Sequence, residues 1–359
     1  MSDLKNLLGR LSDAFGPSGR EVAVRSLIKA EVEAFVDRLE VDAMGNLITF
    51  MAGTGSEPRL KVMLSAHMDE VGFMITDVDK GGMLKFATVG GIDPRLLLAK
   101  RVLLGGDRVG ADRVPGVITG PVPHLHTAES ARRVLAVDDL AIDIGASDEK
   151  AANGKVKQGD YGVFATQFLV LSEDPAWPTV RGKAFDGRAG CATLIGLLAE
   201  RYPVDLYGVF TVQEEVGLRG ARVATYRVEP DAAIALEGTI CDDLPQPPDE
   251  DSSQVTRLGD GPAVSLMDHA LVSHPGLLRL LRDTAEADGI RIQYKAPMLG
   301  STDSGAIHLT RAGVPAITAA IPCRYIHSPA AILNMNDLEN TVRLVGAALR
   351  RIERQHLTR

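Results

Sequence analysis

The sequence predicts an α/β fold with a mostly parallel, mixed central sheet and a small β-barrel-like domain inserted into it. Three observations carry that prediction. Short apolar strands alternate with amphipathic helices toward both ends of the chain. A central stretch changes texture, to dense glycine turns and short alternating segments. Acids and imidazoles recur just beyond the apolar strands, where open α/β sheets bind ligands.

Leu4, Leu7, Leu8 and Leu11 share one face of a first helix. Gly16-Pro17-Ser18-Gly19 breaks it, and a second helix is expected over 21–35. Residues 39–50 read as a hairpin turning at Gly45-Asn46. Residues 61–66 are a short apolar strand, followed at once by His67-Met68-Asp69-Glu70. Turn signals then crowd the chain at Gly81-Gly82, Gly90-Gly91 and Gly105-Gly106, so 71–168 is expected to be the inserted domain. Residues 1–70 and 169–359 would form one discontinuous domain around it.

Strand and helix patterns resume after the insert. A helix is expected over 187–201, then a strand over 206–212 that ends at Gln213-Glu214-Glu215. A strand over 232–236 ends at Glu237, a helix covers 275–288, and a strand covers 315–321. A last helix is expected over 335–356, and the polar, proline-rich stretch 242–253 is a loop.

Composition narrows the function classes. The formal charge of −8 argues against a nucleic-acid backbone as the main partner. Cys191, Cys241 and Cys323 are odd in number and widely spaced, so they make neither a disulfide framework nor a zinc knuckle, and a reducing compartment fits them. Asp3, Lys5, Arg10 and Asp13 interrupt the N-terminal apolar residues, which reads as an amphipathic helix rather than a signal peptide. No apolar run approaches the ~20 residues that cross a bilayer. A cytoplasmic protein is expected, with neither nucleic acid nor membrane as partner.

His67, Glu214, Glu215, Glu237 and His327 each follow an apolar strand, and Asp186 lies just ahead of a helix. These side chains from distant segments are expected to converge on one crevice. Two imidazoles and several carboxylates suit a borderline divalent cation such as Zn²⁺, Co²⁺ or Mn²⁺. Burying that many acids without a cation is costly. One ion cannot use them all, whereas two ions sharing one carboxylate can. Singly, each residue has an ordinary reading: Asp186 as a helix N-cap, Glu214-Glu215 as a solvated strand end, His327 as a turn residue. The other histidines, His124, His126, His269, His274, His308 and His356, are read as structural or surface residues.

With these residues in view the sequence resembles the tetrahedral (TET) aminopeptidases, the family that includes glutamyl aminopeptidases and proteins called cellulase M. The matching segments run in order over nearly the whole chain. They are Ser65-Ala66-His67-Met68-Asp69-Glu70-Val71-Gly72, Gly90-Gly91-Ile92-Asp93-Pro94, Asp143-Ile144-Gly145-Ala146, Phe185-Asp186-Gly187-Arg188, Gln213-Glu214-Glu215-Val216-Gly217 and Tyr325-Ile326-His327-Ser328. The resemblance implies a three-layer, zinc-exopeptidase-like catalytic domain with two divalent metal ions per subunit. His67, Asp186 and Glu237 would hold one metal; Asp186, Glu215 and His327 would hold the other. Glu214 would be the general base for a metal-bridging water, and Asp69 the residue that orients His67. The family usually has Asp where Glu237 stands, although Glu serves there in related di-metal exopeptidases. The insert would mediate dimerisation, with dimers forming a tetrahedral homododecamer.

The expected activity is therefore metal-dependent cleavage of the N-terminal bond of short peptides with a free N-terminus. Another di-metal amidohydrolase, such as a deacylase or carboxypeptidase, is the alternative, and an endoglucanase a more distant one. The glycine-rich Gly300-Ser301-Thr302-Asp303-Ser304-Gly305 reads as a helix N-cap or a backbone cradle. Residues 90–94 read as a turn, or as an element reaching into a neighbouring active site. The preferred N-terminal residue and the metal used are not legible.

Overall fold

A computed structural model describes residues 4–106, 113–121, 134–245, 254–296 and 299–358. His124, His126 and the 246–253 part of the proline-rich loop lie outside these residues. The chain opens with α1 (Leu4–Asp13) and α2 (Val22–Val32) and the hairpin β1 (Arg38–Val41) and β2 (Leu47–Met51). The hairpin turns where expected, because Asp42 Oδ1 accepts from the main-chain N–H groups of Met44, Gly45 and Asn46 and Gly45 takes a φ of 100°.

After β3 (Lys61–His67) the chain leaves the layer to build β4 (Gly72–Val78), β5 (Leu84–Val89), β6 (Arg101–Gly105), β7 (Val114–Thr119), β8 (Ala141–Asp143), α3 (Glu149–Asn153) and β9 (Tyr161–Phe164). These six strands close a barrel in the order β4-β5-β8-β7-β6-β9. Closure leaves no strand edge unpaired. Phe73, Phe86 and Phe164 stack edge to face inside it. The dense turn signals of the insert are the corners of this barrel.

The chain then returns through β10 (Leu169–Ser172), β11 (Thr179–Gly182), α4 (Phe185–Leu197), β12 (Asp205–Thr211), α5 (Arg219–Val228) and β13 (Ala232–Cys241). It ends with β14 (Ala263–Ser265), α6 (Pro275–Ala287), β15 (Gln293–Lys295), α7 (Asp303–Ile307), β16 (Ala316–Arg324), β17 (Ala331–Asn334) and α8 (Met335–Arg351). One mixed sheet runs β1-β2-β12-β3-β13-β16-β17-β11-β10, with β14 and β15 off this path. Its central four strands, β12, β3, β13 and β16, are parallel.

Period-2 alternation sorts the sheet's side chains onto two faces. Val62, Leu64, Leu206, Phe210, Ile234 and Leu236 face the core with α1, α2, α4, α6 and α8. Met63, Val209 and Ala233 face a smaller core with α5 and α7. The result is a three-layer α/β domain carrying a barrel. Cys191, Cys241 and Cys323 are all free and buried. No described helix is long and apolar enough to cross a membrane.

Several expected boundaries move: α2 ends at Val32 and α4 at Leu197, both short of the expected 35 and 201, and β16 runs on to Arg324. β13 does not end at Glu237 but runs to Cys241, because Gly238 to Cys241 keep pairing with β16. The last helix stops at Arg351 rather than 356, because Ile352 is extended and a short 3-10 turn follows at Arg354–Leu357. That turn packs its His356 carbonyl against Gly276 of α6, where a Cβ would lie only 2.0 Å from the oxygen.

The tightest helix–sheet approach fixes α4 over β13. A Cβ on Gly190 would stand 2.0 Å from the Leu236 carbonyl oxygen. Gly190→Ala is expected to lower stability by ~1–3 kcal/mol through overpacking. Denaturant unfolding checks this; an unchanged midpoint would show that the helix shifts freely.

Candidate metal centre

The β13–β3 ladder stops at Ala235↔Ser65, two residues short of Glu237 and His67. Beyond that point the strands part and a crevice opens at their carboxyl ends. His67 is the last residue of β3 and lies level with Thr211 of β12. Both imidazoles of the cluster donate their Nδ1 proton to a main-chain carbonyl: His67 to Asp69 at 3.1 Å and His327 to Gly91 at 2.9 Å. That choice of tautomer turns each Nε2 lone pair toward the carboxylates. The 90–94 segment thus reaches from the barrel into this chain's own site.

Asp186 stands between the two rings. Its Oδ1 is 3.5 Å from His67 Nε2, and its Oδ2 is 3.2 Å from His327 Nε2. Glu237 Oε2 lies 3.3 Å from the first ring and Glu215 Oε2 3.2 Å from the second. Two groups, His67-Asp186-Glu237 and Asp186-Glu215-His327, each bring one ligand atom per residue within 4.8 Å of one another. The two groups share only Asp186.

The local backbone explains why Asp186 is free to do this. It is extended (ψ 119°) and Gly187 is left-handed (φ 80°), so regular helix starts only after them. A Cβ at Gly187 would lie 2.5 Å from His67 Nδ1, so only glycine fits there. No main-chain N–H donates to the Asp186 carboxylate among the described residues, so it is not a helix cap. Gly238 leaves room on the other side, where a Cβ would stand 2.7 Å from Asp186 Cα.

Among the described residues, non-glycine positive φ values concentrate here. Ala184, Gln213, Leu218, Tyr325 and His327 carry them at 56°, 56°, 56°, 59° and 55°. Each costs on the order of 1–3 kcal/mol and persists only where surrounding contacts impose it.

Asp69 is fully buried and does more than face His67. Its Oδ1 lies 3.5 Å from His67 Nδ1, farther than the main-chain carbonyl. The carboxylate instead accepts from Ser18 Oγ at 2.6 Å and from the N–H groups of Glu214 and Glu215 at 3.0 and 3.1 Å. So the Gly-Pro-Ser-Gly break after α1, legible only as a helix stop, sets the Glu214-Glu215 turn through Asp69. Behind α7, Asp303 donates its N–H to Glu237 Oε1 at 3.2 Å and accepts from Thr211 Oγ1 at 2.6 Å. Thr302, which stands at the N-cap position of α7 within the glycine-rich segment, makes no side-chain cap; it bonds Ser304 and Thr318 hydroxyls.

Electrostatics show a cluster short of positive charge. Burial pushes the Glu215 carboxyl up to about 8, against the pull of His327. Burial, joined by Glu237, Glu215 and Asp303, holds Glu214 well above the carboxylate range, with His67 in opposition. Burial opposes a charge on His327, yet Asp186 and Glu215 outweigh it and raise the imidazole to about 9. Protons here occupy positions that a cation fills more favourably, and imidazole nitrogens with carboxylate oxygens fit a borderline divalent metal. The adjoining cavity, of about 620 Å³, is within the usual ligand range and includes Glu214, Thr239, Lys295 and Tyr325 in its lining. A slightly larger recess of about 670 Å³ beside Asp13 and Arg101 contains no imidazole.

A model of the M42 glutamyl aminopeptidase family matches residues 45–344. The chain belongs to the M42 aminopeptidase family. A TET aminopeptidase from a marine sediment archaeon, Thaumarchaeota archaeon, is 34% identical with a TM-score of 0.91 over 99% of each chain. The lysyl aminopeptidase of Pyrococcus furiosus is 31% identical over 98% of each chain. The TET1 peptidase of Pyrococcus horikoshii, which assembles into a tetrahedron or a large octahedral shell, is 32% identical with a TM-score of 0.84 over 98% of this chain and 100% of that one. As an M42 protein this chain is a metal-dependent aminopeptidase, a hydrolase, and the deacylase, carboxypeptidase and endoglucanase alternatives are not favoured. Removal of divalent metal by a chelator should abolish peptide hydrolysis and lower Tm. A cation at 100 times its Kd stabilises by ~2.7 kcal/mol. Thermal melts with and without added Zn²⁺, Co²⁺ or Mn²⁺ check this; identical melts contradict it.

Proposed function

We propose that the chain cleaves the first peptide bond of short peptides with two divalent cations. His67, Asp186 and Glu237 would hold one, and Asp186, Glu215 and His327 the other. The observation that carries this reading is the division of the Asp186 carboxylate, one oxygen toward each imidazole. The nitrogen and oxygen donors suit Zn²⁺ or Co²⁺, and also Mn²⁺. When bound, such ions polarise a peptide carbonyl and acidify water.

The chain's own groups supply the rest. Among the described residues the Glu214 carboxylate has no hydrogen-bond or ion-pair partner, whereas Glu215 next to it pairs with His327. An unpaired acid lining the cavity is the group able to move a proton. Glu214 takes the proton of the attacking water at its carboxylate and returns it to the leaving amine nitrogen. Asp69 holds the Glu214 and Glu215 N–H groups, which sets one carboxylate toward the cluster and the other toward substrate. The acidic lining attracts a free N-terminal ammonium, which supports exopeptidase over endopeptidase action.

The segment 71–168 acts in this reading as a dimerisation domain, and dimers form a tetrahedral dodecamer, as the relatives' assembly supports. Light scattering is expected to give a mass about twelve times that of the chain; a monomer contradicts the assembly. Glu214→Gln is expected to lower kcat by ~10²–10⁴ with metal content unchanged. His327→Ala should instead lower metal content, measured by elemental analysis. A Glu214→Gln enzyme of normal rate overturns the base assignment, and full metal occupancy in His327→Ala removes that ligand.

A further inference from the structure

Glu21 stands at the N-cap position of α2 and is 4% exposed, yet its side chain makes no cap on that helix. A helix start leaves free N–H groups of its own, and these are the usual partners of an acid placed there. The Glu21 Oε1 instead accepts from the Gly19 N–H at 2.6 Å and from the Gln213 N–H, 192 residues on, at 3.2 Å.

Gln213 lies in a run of main-chain donors that all end on side chains. Val212 donates to Asn46 Oδ1 at 3.0 Å and Gln213 to Glu21, while Glu214 and Glu215 donate to the two oxygens of Asp69 at 3.0 and 3.1 Å. The ladder of β12 with β3 ends at Thr211, so no neighbouring strand shapes this segment. Its path is imposed by three buried side chains from distant parts of the chain. Asn46 is itself fixed, because its Nδ2 donates to Asp42 Oδ2 and to the Gly220 carbonyl. Gln213 is left-handed at φ 56°, a conformation that persists in a non-glycine residue only where contacts impose it. Glu21 holds the N–H of that residue. Glu214 follows directly, and its carboxylate has no partner among the described residues, so it points where the main chain aims it.

We propose that Glu21 is a positioning residue for the reaction: by holding Gln213 in its left-handed conformation, it aims the Glu214 carboxylate into the cavity. The inference rests on the reading of Glu214 as the base. Glu21 belongs neither to the two ligand groups nor to the cavity lining, so it acts through the main chain. The contact needs an acceptor at the reach of Glu rather than a charge.

Two substitutions separate this role from a contribution to folding. Glu21→Asp draws the carboxylate back by one methylene, while Asp is a favoured residue at a helix N-cap. It is expected to melt no lower than the wild type, yet to lower kcat by ~10–100-fold with KM and metal content unchanged. Glu21→Gln keeps a carbonyl acceptor at full length and is expected to retain kcat within about threefold. The metal-loaded proteins would be assayed on the best substrate of an aminoacyl p-nitroanilide panel. Added to Glu214→Gln, the Glu21→Asp change is expected to cost less than about threefold more, because no base remains to be aimed. Equal losses in both backgrounds overturn the proposal. So does a fall in Tm with kcat unchanged, a loss of metal that matches the loss of rate, or a Glu21→Gln enzyme as slow as Glu21→Asp. A normal rate in Glu214→Gln removes the base assignment and this inference with it, whereas a normal rate in Glu21→Asp beside an impaired Glu214→Gln overturns the inference alone.

Discussion

Asp186 cannot face two imidazoles at once unless the chain beneath it is bent in one particular way. Its extended backbone, the left-handed Gly187 after it and the bare Cα of Gly238 opposite together hold the carboxylate broadside between His67 and His327. A side chain at Gly187 would collide with the His67 ring. The start of α4, the end of β3, Glu237 and Gly238 within β13 and the turn after β16 are all registered against this point. The strained residues Ala184, Gln213, Tyr325 and His327 flank it within a few positions of a cluster member.

The strain is restrained by a buried polar scaffold on the far side of the cluster. Arg188, fully buried one residue after Gly187, donates to the carbonyls of Met68, Leu11, Ala14 and Gly16. Glu70 accepts from Lys183 at 2.6 and 2.8 Å and from the Gly16 N–H at 3.2 Å. These contacts tie the end of α1, the segment after β3 and the approach to α4 into one unit. Breaking one partner of such a buried set is strongly destabilising, commonly ~3–5 kcal/mol. The barrel joins through the Gly91 carbonyl on His327, so barrel position and imidazole orientation are coupled.

Much of this was legible in the sequence because it depends on local pattern. Apolar runs ending in acids or histidines located β3, β12 and β16, and the density of glycine turns located the barrel. His67, Glu214, Glu215, Glu237 and His327 could be grouped because each follows an apolar strand, and Asp186 joined them from the start of a helix. What was illegible depends on pairing between distant segments. Glu237 read as a strand end because the apolar run stops there, yet β16 holds the strand to Cys241. Ser18 and Asp303 act through partners 51 and 92 residues away, which no local window shows. Glu21 reads as the start of a helix, and its bond to Gln213, 192 residues away, is visible only in three dimensions.

The central claim is that one carboxylate serves two cation sites. Anomalous diffraction from crystals soaked in Zn²⁺ or Co²⁺, collected on both sides of the metal edge, tests it most directly. The account predicts two peaks flanking Asp186, one beside His67 and Glu237 and the other beside Glu215 and His327. A single peak that leaves either imidazole without a metal, or two peaks without Asp186 between them, would contradict it.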